Sequence, residues 1–154
     1  MSDIERIEQA LDSYHTQYRN SSLRKLTLSG IYSLHPEKNE NSTGKSQWPD
    51  KWPDVDKPGV YMVLDQDKKL LYVGKSSLGN TIGNRLGSHF QYAKDGSKTC
   101  VAVGGGLWSR PPFYVMTIRV DKAFEAPSIE EYLIEVLCPP DNIRGKKHPN
   151  SVAP

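Results

Sequence analysis

Tyr61, Tyr72, Lys75, Arg85, His89, Glu130 and Asn142 are side chains that can do chemistry by type: phenols and an imidazole that move protons, cations that hold an anion, a carboxylate that holds a metal and an amide that braces them. A reaction such as phosphodiester hydrolysis would call on such a set, since it needs a positioned water, neutralised charge on the phosphoryl oxygens and a stabilised leaving oxygen. Glu130 is a hard carboxylate of the kind that holds Mg²⁺, an ion that keeps most of its waters and takes one or two carboxylates beside substrate phosphate. The planar guanidinium of Arg85 can fork onto a non-bridging oxygen, which a lysine does less well. His89 follows Arg85 by one helical turn and can carry a proton. Tyr72 and His89 would orient the water or the phosphate, Lys75 adds a cation beside the phenols, and Asn142 can brace the others as donor and acceptor.

These side chains need elements to hold them. Apolar residues run from Val60 to Leu64 and from Leu70 to Val73, with Asp65-Gln66-Asp67-Lys68 as a polar turn, so Gly59 to Gly74 reads as a β-hairpin. A turn centred between Gln66 and Asp67 sets Tyr61 opposite Tyr72, Val60 opposite Val73 and Gly59 opposite Gly74. The phenols then share a face with Val63 and Leu70, and Val60, Met62, Leu64, Leu71 and Val73 fill the other. A hairpin apolar on both faces belongs at the centre of a sheet. Asn80 to Asp95 reads as a helix, capped by Asn80, with Ile82, Leu86, Phe90 and Ala93 as its buried stripe and Asp95-Gly96 as its end. A second helix opens at Ser128, whose capping box with Glu131 leaves Glu130 in the first turn for other work. Ile129, Leu133 and Val136 form its buried stripe, and Pro139-Pro140 ends it before Asp141-Asn142. Phe113 to Val120 is the last strand of a three-stranded sheet.

Gly59-Val60-Tyr61 and Tyr72-Val73-Gly74 resemble the two tripeptides that name the GIY-YIG nuclease superfamily, each with Val in place of Ile. Arg85, His89, Glu130 with Leu133-Ile134, Pro139 and Asn142 follow in the family's order. The run from Gly74 to Arg85 is a few residues longer than in excision-repair members, through Ser77-Leu78-Gly79-Asn80. A literal Gly30-Ile31-Tyr32 lies upstream without a hairpin partner and is a decoy. The resemblance, which spans Gly59 to Asn142, implies an α+β fold with a small central three-stranded antiparallel sheet flanked by helices, here with an added N-terminal helix. It implies a metal-dependent endonuclease acting on DNA, with Tyr61 accepting the proton of the attacking water and Glu130 holding Mg²⁺ or Mn²⁺. A phenol is a poor base unless its pKa falls from about 10, so Lys75 and Arg85 are expected to lower it. A noncatalytic module that keeps the fold to bind nucleic acid or protein is the alternative, against which the retained Glu130 and Arg85 argue. A toxin or phage-defence role would add an inhibitory or immunity partner. A homodimer would suit double-strand cleavage, because one site cuts one strand.

The 154 residues carry a formal charge of +2, so any attraction to DNA must come from local clusters. Lys75, Arg110, Arg144, Lys146 and Lys147 are the candidate backbone contacts, three of them on a basic tail over 143–154. Gly104-Gly105-Gly106 ahead of Leu107-Trp108-Ser109-Arg110 reads as a plain flexible loop. Residues 58–142 form the expected core and 1–57 an extension packed on it. Within that extension Ser2 and Glu5 make a capping box for an amphipathic helix from 3 to about 19, with Ile4, Ile7, Leu11, Tyr14 and Tyr18 on one side. Leu23 to Leu34 alternates and reads as a strand or short irregular segment. The loop 35–57 carries Trp48 and Trp52, which anchor it to the fold rather than stack on bases. Cys100 and Cys138 make neither a zinc motif nor a disulfide framework, and Cys138 is expected in a buried helix. With no apolar signal core and no stretch long enough to cross a bilayer, a cytoplasmic location without membrane association is the expectation.

Overall fold

The computed structural model describes residues 1–38, 46–103 and 108–145, with side chains as far as Asn142. Its elements are α1 (Asp3–Tyr18), β1 (Tyr32–Ser33), β2 (Gly59–Leu64), β3 (Leu70–Ser76), α2 (Ile82–His89), β4 (Phe90–Tyr92), β5 (Cys100–Ala102), β6 (Tyr114–Arg119), α3 (Ala126–Leu137) and α4 (Pro140–Gly145). The architecture is the expected α+β arrangement, an antiparallel sheet flanked by helices. Its order is β1-β6-β2-β3, so the segment Leu23 to Leu34, read as a strand or short irregular piece, supplies the two-residue β1 as a fourth strand beside the three expected, and β4 and β5 form a separate two-stranded ribbon.

The sheet separates two apolar clusters. Val60, Met62, Leu64, Val73, Met116 and Ile118 meet α1 and α3 on one side, while Tyr61, Val63 and Val115 meet Ile82, Leu86 and Phe90 on the other. The expected N-terminal helix forms with its capping box, Glu5 N–H donating to Ser2 Oγ at 3.2 Å and Ser2 N–H to the Glu5 carboxylate at 2.7 Å. Ile7, Ala10, Leu11 and Tyr14 bury against the first cluster. The helix also holds the start of α3, through Tyr14 and Ser128 hydroxyls at 2.7 Å and the Arg19 guanidinium forked onto Glu125 at 2.7 and 3.0 Å.

That contact explains a correction. Ser128 does not cap α3: the helix starts at Ala126, with Pro127 in its first turn and no side-chain cap, and the Ser128 hydroxyl is taken by Tyr14. Glu130 is therefore the fifth helical residue rather than part of the first turn. Ile129 and Leu133 are buried as expected, but the third position of the stripe is Leu137, and Val136 is 43% exposed. Cys138 is exposed, at the left-handed C-cap, and not in a buried helix.

The hairpin register also differs. Tyr61 pairs with Gly74, Val60 with Lys75, Gly59 with Ser76 and Val63 with Tyr72, a slip of two residues from the expected pairing, with a bulge after Val63. The turn is pulled tight on Asp65, whose Oδ1 accepts from Asp67 and Lys69 N–H at 2.9 Å each, and Lys68 takes a positive φ of 60°. An even slip keeps Tyr61 and Tyr72 on one face, whereas the bulge moves Leu70 to the face of Leu64. Gly59 is needed where it is, because a Cβ there would fall on the Ile118 carbonyl of the neighbouring strand.

α2 is shorter than the expected span. Thr81, not Asn80, caps it by accepting from Asn84 N–H at 3.1 Å, and the preceding loop closes its start, Lys57 and Val55 carbonyls accepting from Ile82 and Gly83 N–H at 2.8 and 3.0 Å. At Phe90 the chain turns into β4, because Phe90-Gln91-Tyr92 finds a partner in Cys100–Ala102 and Asp95-Gly96 serves as a hairpin turn instead of a helix end. Trp48 and Trp52 anchor their loop, Trp52 against Tyr32 at 4.6 Å and Trp48 against Tyr92 at 5.1 Å between ring centres. No helix among the described residues is long and apolar enough to cross a membrane.

Candidate active site

β2, β3 and α2 bring Tyr61, Tyr72 and His89 together. The three rings lie 5.7 to 6.1 Å apart between centres, and the Tyr61 hydroxyl is hydrogen-bonded to His89 Nε2 at 2.9 Å. Tyr61 has no exposed surface, and its ring lies across the backbone of Gly74, where any Cβ would collide with the phenol. The paired glycine is what lets the tyrosine lie flat over β3 and reach His89.

Beside the rings, Lys75, Ser76, Ser77, Asn80, Arg85 and Glu130 line a cleft of about 220 Å³. Lys75 Nζ donates to Ser77 Oγ at 3.3 Å. Two of the residues lining this cleft carry a donor, Arg85 Nε and the Ser76 hydroxyl, that is buried without a hydrogen-bond partner among the described residues. Buried donors are rarely left so, and two in one polar cleft suit an anion with several acceptor oxygens. Glu130 stands close enough to Tyr72 to raise its pKa, after burial, while Arg85 acts on both tyrosines and on His89.

The electrostatics reverse one expectation. Burial, followed by the neighbouring Tyr72, raises the Tyr61 pKa, and the Arg85 charge offsets only part of that. Burial and the same Arg85 charge lower that of His89, which favours the neutral imidazole. Both shifts favour a protonated phenol against a neutral ring, in which Nε2 accepts when Nδ1 carries the proton.

Asn142 sits at the end of the other helix pair. In the first turn of α4 and 7% exposed, it accepts from Val73 N–H through Oδ1 and donates from Nδ2 to the Val73 carbonyl, both at 2.8 Å. Its side-chain amide thus pairs with the open edge of β3 as another strand would. Arg110 is placed away from the cleft, its guanidinium on the buried Asp65 carboxylate at 3.0 Å. The side chains of Arg144, Lys146 and Lys147, and Gly104-Gly105-Gly106, lie outside the described residues.

Trp108 and Asp141 join the site without having been singled out from the sequence. Trp108 packs edge-on against Tyr72 and His89, each at 5.8 Å between ring centres. Fully buried Asp141 accepts from Ser109 N–H through both oxygens, at 3.0 and 3.1 Å, which fixes the residue after Trp108. A large aromatic in a Gly- and Ser-rich loop was the available signal for Trp108. Asp141, directly after Pro139-Pro140, has the local pattern of an ordinary turn residue.

A family model described as the GIY-YIG catalytic domain matches residues 57–142. The chain belongs to the GIY-YIG family. The UvrABC system protein C of Pseudomonas fluorescens is 37% identical over 87 residues, covering 56% of this chain and 13% of that protein. The protein of the same name from Flavobacterium psychrophilum is 35% identical over 88 residues, 57% of this chain and 13% of its own length. This chain thus aligns with about an eighth of the length of those relatives, over the family domain. No solved structure matches it. Membership supports a nuclease-type function, and nucleases of this family generally depend on a divalent metal.

Proposed function

We propose that the chain is an endonuclease that hydrolyses DNA phosphodiester bonds by water attack. The observation that carries this reading is the cleft itself, where Lys75, Glu130, Ser76 and Arg85 meet beside the Tyr61–His89 pair, the last two each with a buried donor that has no partner among the described residues. Arg85 and Ser76 would hold the phosphoryl oxygens, with Arg85 neutralising charge as it builds. Once substrate binding brings a water to its buried hydroxyl, Tyr61 would take the proton of that water while its own passes to His89 Nε2, so a free phenolate is never needed. As the oxygen of water bonds to phosphorus, the bond to the departing oxygen breaks. Tyr72 would orient the water, Lys75 would lie along the phosphate, and Asn142 would act indirectly by holding β3.

Among the described residues no three His, Cys, Asp or Glu side chains cluster as a metal cage. A single carboxylate in a polar cleft nevertheless suits Mg²⁺ or Mn²⁺, which binds through few protein ligands plus substrate phosphate and water. Glu130 would hold the ion, which supplies Lewis-acid stabilisation of the phosphoryl and leaving oxygens. The test is nicking of supercoiled and linear DNA with Mg²⁺, with Mn²⁺ and with chelator. Metal-dependent cutting is expected; binding without cutting in any metal would leave a noncatalytic binding module.

Two further outcomes follow from the geometry. In Gly74→Ala the new methyl evicts the Tyr61 ring, and kcat should drop about a hundredfold or more, as reacting groups displaced by an ångström do. Circular dichroism checks that the sheet survives. The other outcome concerns pH. Because burial depresses the His89 pKa, the neutral acceptor persists below the ordinary histidine value of about 6.5. Activity should hold as pH falls through that value and decline only through the lower, folded one. His89→Gln should lower kcat and remove that acid limb, measured as a pH–rate profile.

A further inference from the structure

We infer that the apolar cavity behind Trp108 is a nucleobase site, taking a base that flanks the scissile phosphate; the inference rests on the nuclease reading above. The cavity measures about 380 Å³ and is lined by Phe90, Ala102, Trp108 and Pro112 among others, with His35, Ser109 and the Asp65-paired Arg110 as its polar members. Its volume falls in the range of small-molecule sites, about 300–1,000 Å³. Such a combination of aromatic surface, few polar groups and a cation is what a flat heterocycle with edge acceptors requires.

Trp108 is the wall shared with the active site. Its ring is stacked on Phe90 with 24° between the planes and 5.9 Å between centres, and meets Tyr72 and His89 edge-on. A ligand in the cavity therefore sits one ring away from the groups proposed to act on the phosphate. Phosphate and base are joined through one sugar, so a single nucleotide unit can fill both places; an apolar peptide side chain has no such reason to be here. The Trp108 Nε1 donor is buried and has no partner among the described residues. A base offers it a ring-nitrogen or carbonyl acceptor, and an unmet buried donor is costly enough that such a partner would matter. The wall is also preorganised, since Asp141 clamps Ser109 N–H with both oxygens. Burial raises the Cys100 thiol to about 12, in keeping with a dry lining.

The experiment scans the substrate. After wild-type protein has mapped the cut, Glu130→Gln is titrated with labelled oligonucleotides, single-stranded and duplex, made abasic at one position at a time. One position beside the cut should lose about tenfold in affinity, the scale of a single stacked base, and should raise KM for wild type. Ala102 lines the cavity from an exposed strand position, so Ala102→Trp can fill it without touching Tyr61 or His89. That variant should bind the intact oligonucleotide about tenfold more weakly and no longer sense the abasic position. Ala102→Leu gives a smaller plug if the larger one fails to fold. A flat abasic scan, or a scan that the folded plug leaves unchanged, overturns the base site. Cutting with a flat scan removes this inference alone, whereas absence of both binding and cutting removes the nuclease reading and this one with it.

Discussion

Glu130→Gln should retain its fold and lose about a thousandfold in DNA cleavage, the scale on which loss of one group stabilising transition-state charge is felt. The substitution preserves shape and removes the only charged oxygen donor lining the described cleft, which otherwise holds Lys75, Arg85, Asn80 and two serines. A neutral amide cannot replace a carboxylate for a hard divalent ion. Residue 130 is half-buried on α3, and the helix rests on Ala126, Ile129, Leu133 and Leu137, so its packing should survive. Arg85→Ala should show a comparable loss for the complementary reason, since it removes the guanidinium expected to meet the phosphoryl oxygens. Plasmid nicking rates with circular dichroism beside them decide the matter. If wild type and both variants cut alike while folded, hydrolysis in this cleft is wrong.

Asn142→Ala should cost stability before it costs chemistry, by about 2–4 kcal/mol. Both hydrogen bonds to Val73 vanish together, leaving an N–H and a carbonyl of the edge strand without partners in a buried setting. Asn142→Asp should do no better: one oxygen still accepts from Val73 N–H, but the other sets a charge against the Val73 carbonyl. Urea unfolding of the two variants and wild type measures the loss. At concentrations where Asn142→Ala remains folded, kcat should fall by less than in Glu130→Gln. Equal stability of all three proteins would remove Asn142 from the architecture.

The strands and helices were legible where local pattern and partner agree. Val60 to Leu64 and Leu70 to Val73 are apolar on both faces and end up buried on both, and Ser2 with Glu5 caps α1 because both halves of that motif lie within one turn. Where a distant partner competes, local reading failed. Ser128 has the pattern of a cap, but Tyr14 takes its hydroxyl from more than a hundred positions away, and the helix begins earlier. Phe90-Gln91-Tyr92 continues a helical stripe by periodicity, yet the ladder with Cys100–Ala102 wins those residues for a strand. The hairpin register slipped because Asp65 tightens the turn from within, and a slip by an even number left the shared face of the tyrosines intact.

The site divides along the same line. Order and spacing of Tyr61, Tyr72, Arg85, His89, Glu130 and Asn142 are properties of the chain, and they sufficed to name the family and the order of its parts. Which proton sits where is not such a property. A phenol beside cations reads as acidified, but burial opposes charge more strongly than Arg85 favours it, and burial exists only once α2 and the ribbon close over the ring. The order of residues settles which groups are present and on which elements they ride. Packing in three dimensions settles that Tyr61 lies over Gly74 with its hydroxyl on His89, that Asn142 completes a strand edge, and that Trp108 packs on Tyr72. Those outcomes depend on desolvation and on contacts across the chain, which no local pattern encodes.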